Sequence, residues 1–142
     1  MMHIDGACHC GAITFEADVD PETASICHCM DCQITASSAF RVAVRTTADH
    51  FRLLSGEPRQ YRKTAASGNR RVLAFCGTCG TQLWGCEDRP DMGRISIRTG
   101  ALAQRDELIP KRQMWCQSAR SWLPGIDELP RVDDQYLPGD TL

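Results

Sequence analysis

The stretch Gly6-Ala7-Cys8-His9-Cys10-Gly11-Ala12-Ile13-Thr14-Phe15 sets a C-x-C pair at the mouth of a β-branched, alternating run. Side chains two apart in an extended segment share a face, so both sulfurs are expected on one side. Cys76-Gly77-Thr78-Cys79-Gly80 supplies the complement, a C-x-x-C closed by a glycine that can take positive φ, which is the signature of a zinc knuckle. Cys8, Cys10, Cys76 and Cys79 together make the four soft ligands of a closed, structural tetrahedral zinc.

The same texture spreads outward from these turns. Residues 12–17, 40–44, 71–75 and 94–98 are short, β-branched and roughly alternating, and read as strands. Gly56-Glu57-Pro58, Ser67-Gly68-Asn69 and Arg89-Pro90-Asp91-Met92-Gly93 punctuate them as turns. Helix is expected only in brief pieces after Cys29, near residues 101–104 and around residues 118–122. The sequence predicts a mostly β fold. A length of 142 residues suits one domain with its own core. Its expected extent is residues 4–125, with a proline-containing, acidic tail over 126–142 lying on that domain or fraying from it.

Between the two knuckles lies Cys27-His28-Cys29-Met30-Asp31-Cys32, which presents three thiols within six residues. No fourth thiol is clustered with them. Three protein ligands mark an open zinc site, where a bound water or thiol loses its proton readily and chemistry can occur. The alternative is a closed shell completed from a distance by Cys86, Cys116 or His28. Otherwise Cys86 and Cys116 are expected as small buried hydrophobes.

Charge and cysteine count narrow the function classes. Sixteen Lys and Arg against eighteen Asp and Glu give a formal net charge of -2, without the basic excess of a nucleic-acid binder. Seven thiolates around two divalent ions carry the loaded chain to about -5. The start Met1-Met2-His3-Ile4-Asp5-Gly6 lacks the basic and apolar regions of a signal peptide, and no stretch has the length of a membrane span. A cytoplasmic protein is expected. In that reducing compartment nine cysteines, an odd number, point to metal rather than disulfides. A thioredoxin-like redox reading of Cys76 to Cys79 is weakened by the segment that follows, which reads as a turn into a strand.

The three cysteine blocks, Gly6 to Phe15, Cys27 to Gln33 and Phe75 to Thr81, resemble those of the glutathione-dependent formaldehyde-activating enzyme family, which includes the centromere protein V type of domain. The resemblance runs from about Gly6 to Trp122 and includes Ile97-Arg98-Thr99-Gly100-Ala101-Leu102, Met114-Trp115 and Ser118-Ala119-Arg120-Ser121-Trp122-Leu123. It implies zinc-stabilised, coiled β-sheets of the Mss4-like type, with two zinc ions per chain. Cys8, Cys10, Cys76 and Cys79 would hold the structural ion, and Cys27, Cys29 and Cys32 the catalytic one. It also implies a carbon-sulfur lyase activity that joins glutathione to formaldehyde as S-hydroxymethylglutathione, or cleaves that bond. One departure is Ser37, where many relatives carry glycine. A serine is expected to resist positive φ there and to narrow the approach to the open site.

These readings converge on a small thiol substrate whose sulfur attacks an aldehyde carbon, with no nucleic acid, membrane or defined oligomer implied. Arg41, Arg45, Arg62, Arg70 and Arg71 are candidates to bind the carboxylates of a glutathione-like thiol. His28 and Asp31 are candidate second partners or proton carriers, and Trp84, Trp115 and Trp122 are candidate core or pocket-wall aromatics. The competing function is a non-enzymatic zinc module for protein interaction or metal handling, with both ions structural.

Overall fold

The computed structural model describes residues 1–134. The chain opens with β1 (Met2–Ala7), whose alternating burial places Ile4 and Gly6 inward. β2 (Thr14–Cys27) returns antiparallel to it and is far longer than the run expected at residues 12–17. The run continues through Asp20-Pro21-Glu22-Thr23 because side chains replace the interrupted ladder. Glu22 N–H donates to Asp20 Oδ1 at 3.0 Å, Thr23 Oγ1 donates to Asp20 O at 2.6 Å, and Arg45 N–H donates to Thr23 Oγ1 at 2.9 Å. Such an irregularity bends a strand without ending it.

That bend lets β2 serve two sheets. Its first half pairs with β1 and with β4 (Phe51–Ser55). Its second half pairs antiparallel with β3 (Arg41–Thr47) and parallel with β9 (Arg112–Met114). The remaining strands are β5 (Arg59–Thr64), β6 (Arg70–Phe75), β7 (Gln82–Glu87) and β8 (Arg94–Arg98). The order along the main path is β1-β2-β3-β8-β7-β6-β5. The result is a coiled, mostly antiparallel β architecture, as the sequence predicts.

Helix is brief, also as predicted. α1 (Met30–Ala36) follows Cys29, and 3-10 turns occupy Ala48–His50, which was not expected, Thr99–Ala101, Cys116–Ser118 and Leu123–Glu128. The last of these lies in and beside the expected tail, whose residues 135–142 are outside the described residues. No helix among the described residues is long and apolar enough to cross a membrane. The core gathers Ile4, Phe15, Val19, Leu83, Ile95, Ile97 and Leu102. Trp84 packs edge-on against Phe15 and Phe51 at 5.3 and 4.8 Å between ring centroids.

Candidate metal centres and the adjoining cavity

Two hairpin tips meet at the first cysteine group. Cys8 and Cys10 occupy the turn from β1 to β2, and Cys76 and Cys79 the turn from β6 to β7. The tips share one pattern. Gly11 N–H donates to Cys8 O and Gly80 N–H to Cys76 O, both at 2.9 Å, and both glycines sit at φ 76°. No atom would crowd a Cβ at either glycine, so the positive φ is what calls for glycine there.

The Cys8 to Cys10 segment therefore differs from the extended pair expected from its spacing. It is a tight turn, which brings the two sulfurs to 3.5 Å. Cys10 Sγ is 3.8 Å from Cys76 Sγ, and all four sulfurs lie within 4.8 Å of one another. Tetrahedral zinc with bonds of about 2.3 Å requires sulfurs about 3.8 Å apart, so the donor set fits that ion. All four thiols are free of disulfides.

Thr81 ties the tips together. His9 N–H donates to Thr81 Oγ1 at 3.0 Å, and the Thr81 hydroxyl faces Cys79 Sγ at 3.2 Å. Hydrogen bonds from the Thr81 hydroxyl, then from the backbone N–H groups of Thr81 and Cys10, bring the Cys79 thiol down to about 5. Cys10 is pushed up to about 11: the Ala12 N–H pulls it down, but the sulfurs of Cys8 and Cys79 outweigh that bond. The group thus holds a readily formed thiolate at Cys79 beside a Cys10 thiol that surrenders its proton reluctantly.

The second group forms where β2 runs into α1. Cys27 is the last residue of β2, Cys29 caps α1 by accepting from Cys32 N–H at 3.4 Å, and Cys32 lies in the first helical turn. The backbone at Cys29 is extended, so Cys27 and Cys29 face one side and His28 the other. Their three sulfurs also lie within 4.8 Å of one another, and no fourth His, Cys, Asp or Glu joins them among the described residues. Three thiols at this separation fit a soft divalent ion and leave one position of a tetrahedron open. A hydrogen bond from Cys32 lowers the Cys27 thiol, while that same bond, then burial, drives the Cys32 thiol strongly up.

The candidates for a distant fourth ligand stand elsewhere. His28 is buried, with Nε2 bonded to Gln113 Oε1 at 2.8 Å and its ring edge-on to Phe40. Cys86 is buried in β7, whereas Cys116 is exposed, contrary to the expectation of a buried thiol. Neither lines the cavity onto which the three thiols open. Asp31 does line it and forms an ion pair with Lys63 from β5.

That cavity, about 440 Å³, follows from strand periodicity. Ser25 and Cys27 of β2, Arg41, Ala43 and Arg45 of β3, and Ser96 and Arg98 of β8 project alternately onto one face. Arg71 and Leu73 of β6 complete the wall, with Trp115 at the rim, 44% exposed. Of the five arginines expected to bind carboxylates, Arg41, Arg45 and Arg71 line the cavity. Arg62 and Arg70 point out of it, both to Asp88, at 3.3 and 2.9 Å. Lys63 and Arg98 line it as well and were missed, because a single strand does not declare which of its faces is concave. Trp84 is core and Trp115 is cavity wall, but Trp122 is neither, being 55% exposed.

Ser37 corrects another expectation. It closes α1 at φ 49° and ψ 44°, within the left-handed region that serine was expected to avoid. The cap supplies the reason. Its N–H reaches the carbonyls of Gln33 and Ile34, and Ser38 N–H donates to Gln33 O at 3.1 Å, satisfying the last carbonyls of the helix. Ser37 does not line the cavity of the three thiols.

None of the curated proteins matches this chain in a sequence search. Among solved structures, the crystal structure of a Rhodobacter sphaeroides protein is similar at 20% identity and a TM-score of 0.59, covering 80% of this chain and 100% of that one. That likeness supports the fold. The family model described as "Glutathione-dependent formaldehyde-activating enzyme" matches residues 3–118, which include both cysteine groups and most of the cavity wall. The chain belongs to the glutathione-dependent formaldehyde-activating enzyme family.

Proposed function

We propose that this protein is a two-zinc carbon-sulfur lyase, working in the cytoplasm, that forms or cleaves the hydroxymethyl adduct between a glutathione-like thiol and an aldehyde such as formaldehyde. Residues 4–125 form the working domain. The observation that carries this reading is the three-cysteine group, which opens on a cavity of about 440 Å³ and has no fourth His, Cys, Asp or Glu beside it among the described residues. A module with both ions structural needs that fourth ligand.

Cys8, Cys10, Cys76 and Cys79 hold the structural ion, cross-linking two hairpin tips. Cys27, Cys29 and Cys32 hold the other. Zinc bound by three thiolates supplies a soft Lewis acid that lowers the pKa of a substrate thiol, while the negative sulfurs around it keep that thiol nucleophilic. Arg45 and Arg71, half-buried on the cavity wall, have donors for the carboxylates of such a thiol. Lys63, held against Asp31, presents an ammonium to the cavity from which a carbonyl oxygen gaining charge can take a hydrogen bond. Apolar groups, Ala43 and Leu73 among them, exclude water from part of the wall.

Zinc content and thiol binding test the reading. Two zinc ions per chain are expected. In the Co²⁺-substituted protein, glutathione should perturb the visible spectrum saturably. A spectrum indifferent to every thiol tried would sink the lyase reading.

A further inference from the structure

The cavity holds more positive charge than its own groups balance. Among the described residues five cationic side chains line it, and the one carboxylate, Asp31, is engaged by Lys63. None of the guanidiniums of Arg41, Arg45, Arg71 and Arg98 has a carboxylate within ion-pair distance among the described residues. Three thiolates around a divalent ion contribute about one negative charge, which leaves roughly three positive charges unmatched. Uncompensated charge away from water is costly, so a cavity of this kind is built for an anionic occupant.

Two of these arginines are the most deeply buried, and one of them, Arg41, touches a cysteine. Arg41 and Arg98 are each 8% exposed, and the Nε of each is buried without a hydrogen-bond partner. Arg41 Nη1 donates to Cys32 Sγ at 3.5 Å, and its Nη2 is held by Thr35 Oγ1. Arg98 Nη1 donates to Ser96 O at 3.2 Å. Its other terminal nitrogen lies across Gly85, where a Cβ would stand only 2.8 Å away. Gly85 is buried in β7 between Leu73 and Ser96, so the missing side chain is what makes room for a guanidinium on this face.

The position of the pair limits what it can bind. Arg41 donates to Cys32 Sγ, so an anion held by Arg41 sits beside the cysteine group. The carboxylates of a glutathione-like thiol are several bonds from its sulfur and suit the shallower Arg45 and Arg71. The group nearest the reacting sulfur is the carbonyl partner.

On the thiol and aldehyde reading above, we propose that the carbonyl substrate is an aldehyde carrying a carboxylate on its carbonyl carbon, bound through that carboxylate by Arg41 and Arg98. The reaction is addition. The S–C bond forms, the carbonyl π bond breaks, and the thiol proton ends on the carbonyl oxygen. Cleavage is the reverse, and no electrons are exchanged with a third compound.

The test uses the zinc-loaded full chain and two probes of similar size, glyoxylate and neutral glycolaldehyde. Without any thiol, glyoxylate should shift the Nε–Hε resonances of Arg41 and Arg98 saturably, and glycolaldehyde should not. The shift should weaken at least tenfold in Arg98→Met, and also in Gly85→Ala, which crowds Arg98 without removing charge and covers the case in which Arg98→Met does not fold. With glutathione present, kcat/KM for adduct formation should favour glyoxylate at least tenfold. Equal rates for both aldehydes overturn the proposal and leave thiol addition standing. Glutathione alone shifting the same two resonances and displacing glyoxylate gives the pair to the thiol, which also overturns it. If no thiol reacts with any aldehyde, the underlying lyase reading fails, and the thiol-free titration tells that failure apart from the others.

Discussion

Ser37 stands at φ 49°, where a Cβ is crowded by its own backbone, in order to finish α1. Ser37→Gly should stabilise the fold by about 0.5–1 kcal/mol, read as a raised midpoint in urea unfolding, with thiol binding unchanged. The residue type alone argued against this conformation; the carbonyls of Gln33 and Ile34 that needed a donor decided for it. The arginines make the same point about charge. Arg62, Arg70 and Arg71 lie within ten residues, yet two turn to Asp88 and one to the cavity. Arg71→Gln should weaken glutathione binding about tenfold by titration, as expected for a lost charge-assisted hydrogen bond, whereas Arg62→Gln should leave it within twofold.

At the scale of elements, the two glycine-closed turns are joined by one hydroxyl. Thr81 accepts from His9 N–H and bonds Cys79 Sγ, so it links the β1–β2 turn to the β6–β7 turn independently of any ion. Thr81→Val removes both bonds at nearly constant volume. The Cys79 thiol then titrates higher, protons compete better for the sulfur, and zinc leaves at a higher pH during acidification. Zinc affinity should fall 10- to 100-fold in competition with a chelator, the usual cost of losing a group that supports a ligand. The C-x-C reads as an extended pair, against the turn that it forms; the β6–β7 turn was legible as C-x-x-C-G, because a glycine after the last cysteine announces the positive φ that wraps a metal. The path of β2 was not. The strand read at residues 12–17 stops short of Asp20-Pro21, and only the bonds from Glu22 and Thr23 back to Asp20, with Arg45 N–H on Thr23, carry it through.

Across the whole molecule the two cysteine groups are expected to do different work. The first joins turns about seventy residues apart in the chain, while the second is local, spanning six residues at the edge of the cavity. Cys79→Ala should therefore unfold or severely destabilise the protein, and Cys29→Ala should cost one zinc and thiol binding while leaving the circular dichroism spectrum folded. Equal unfolding of both variants would count against this division. The sequence by itself determined the mostly β class, the grouping of seven cysteines into four and three, and the family, because sulfur spacing and strand alternation are local properties carried by consecutive residues. Only the tertiary structure decided which arginines face the thiols. Arg41, Arg45, Arg71 and Arg98 come from three strands, and their convergence depends on β3, β8, β7 and β6 lying side by side with Gly85 leaving a gap between them. A strand's sequence displays its two faces equally, and only its neighbours determine which one becomes the wall of a cavity.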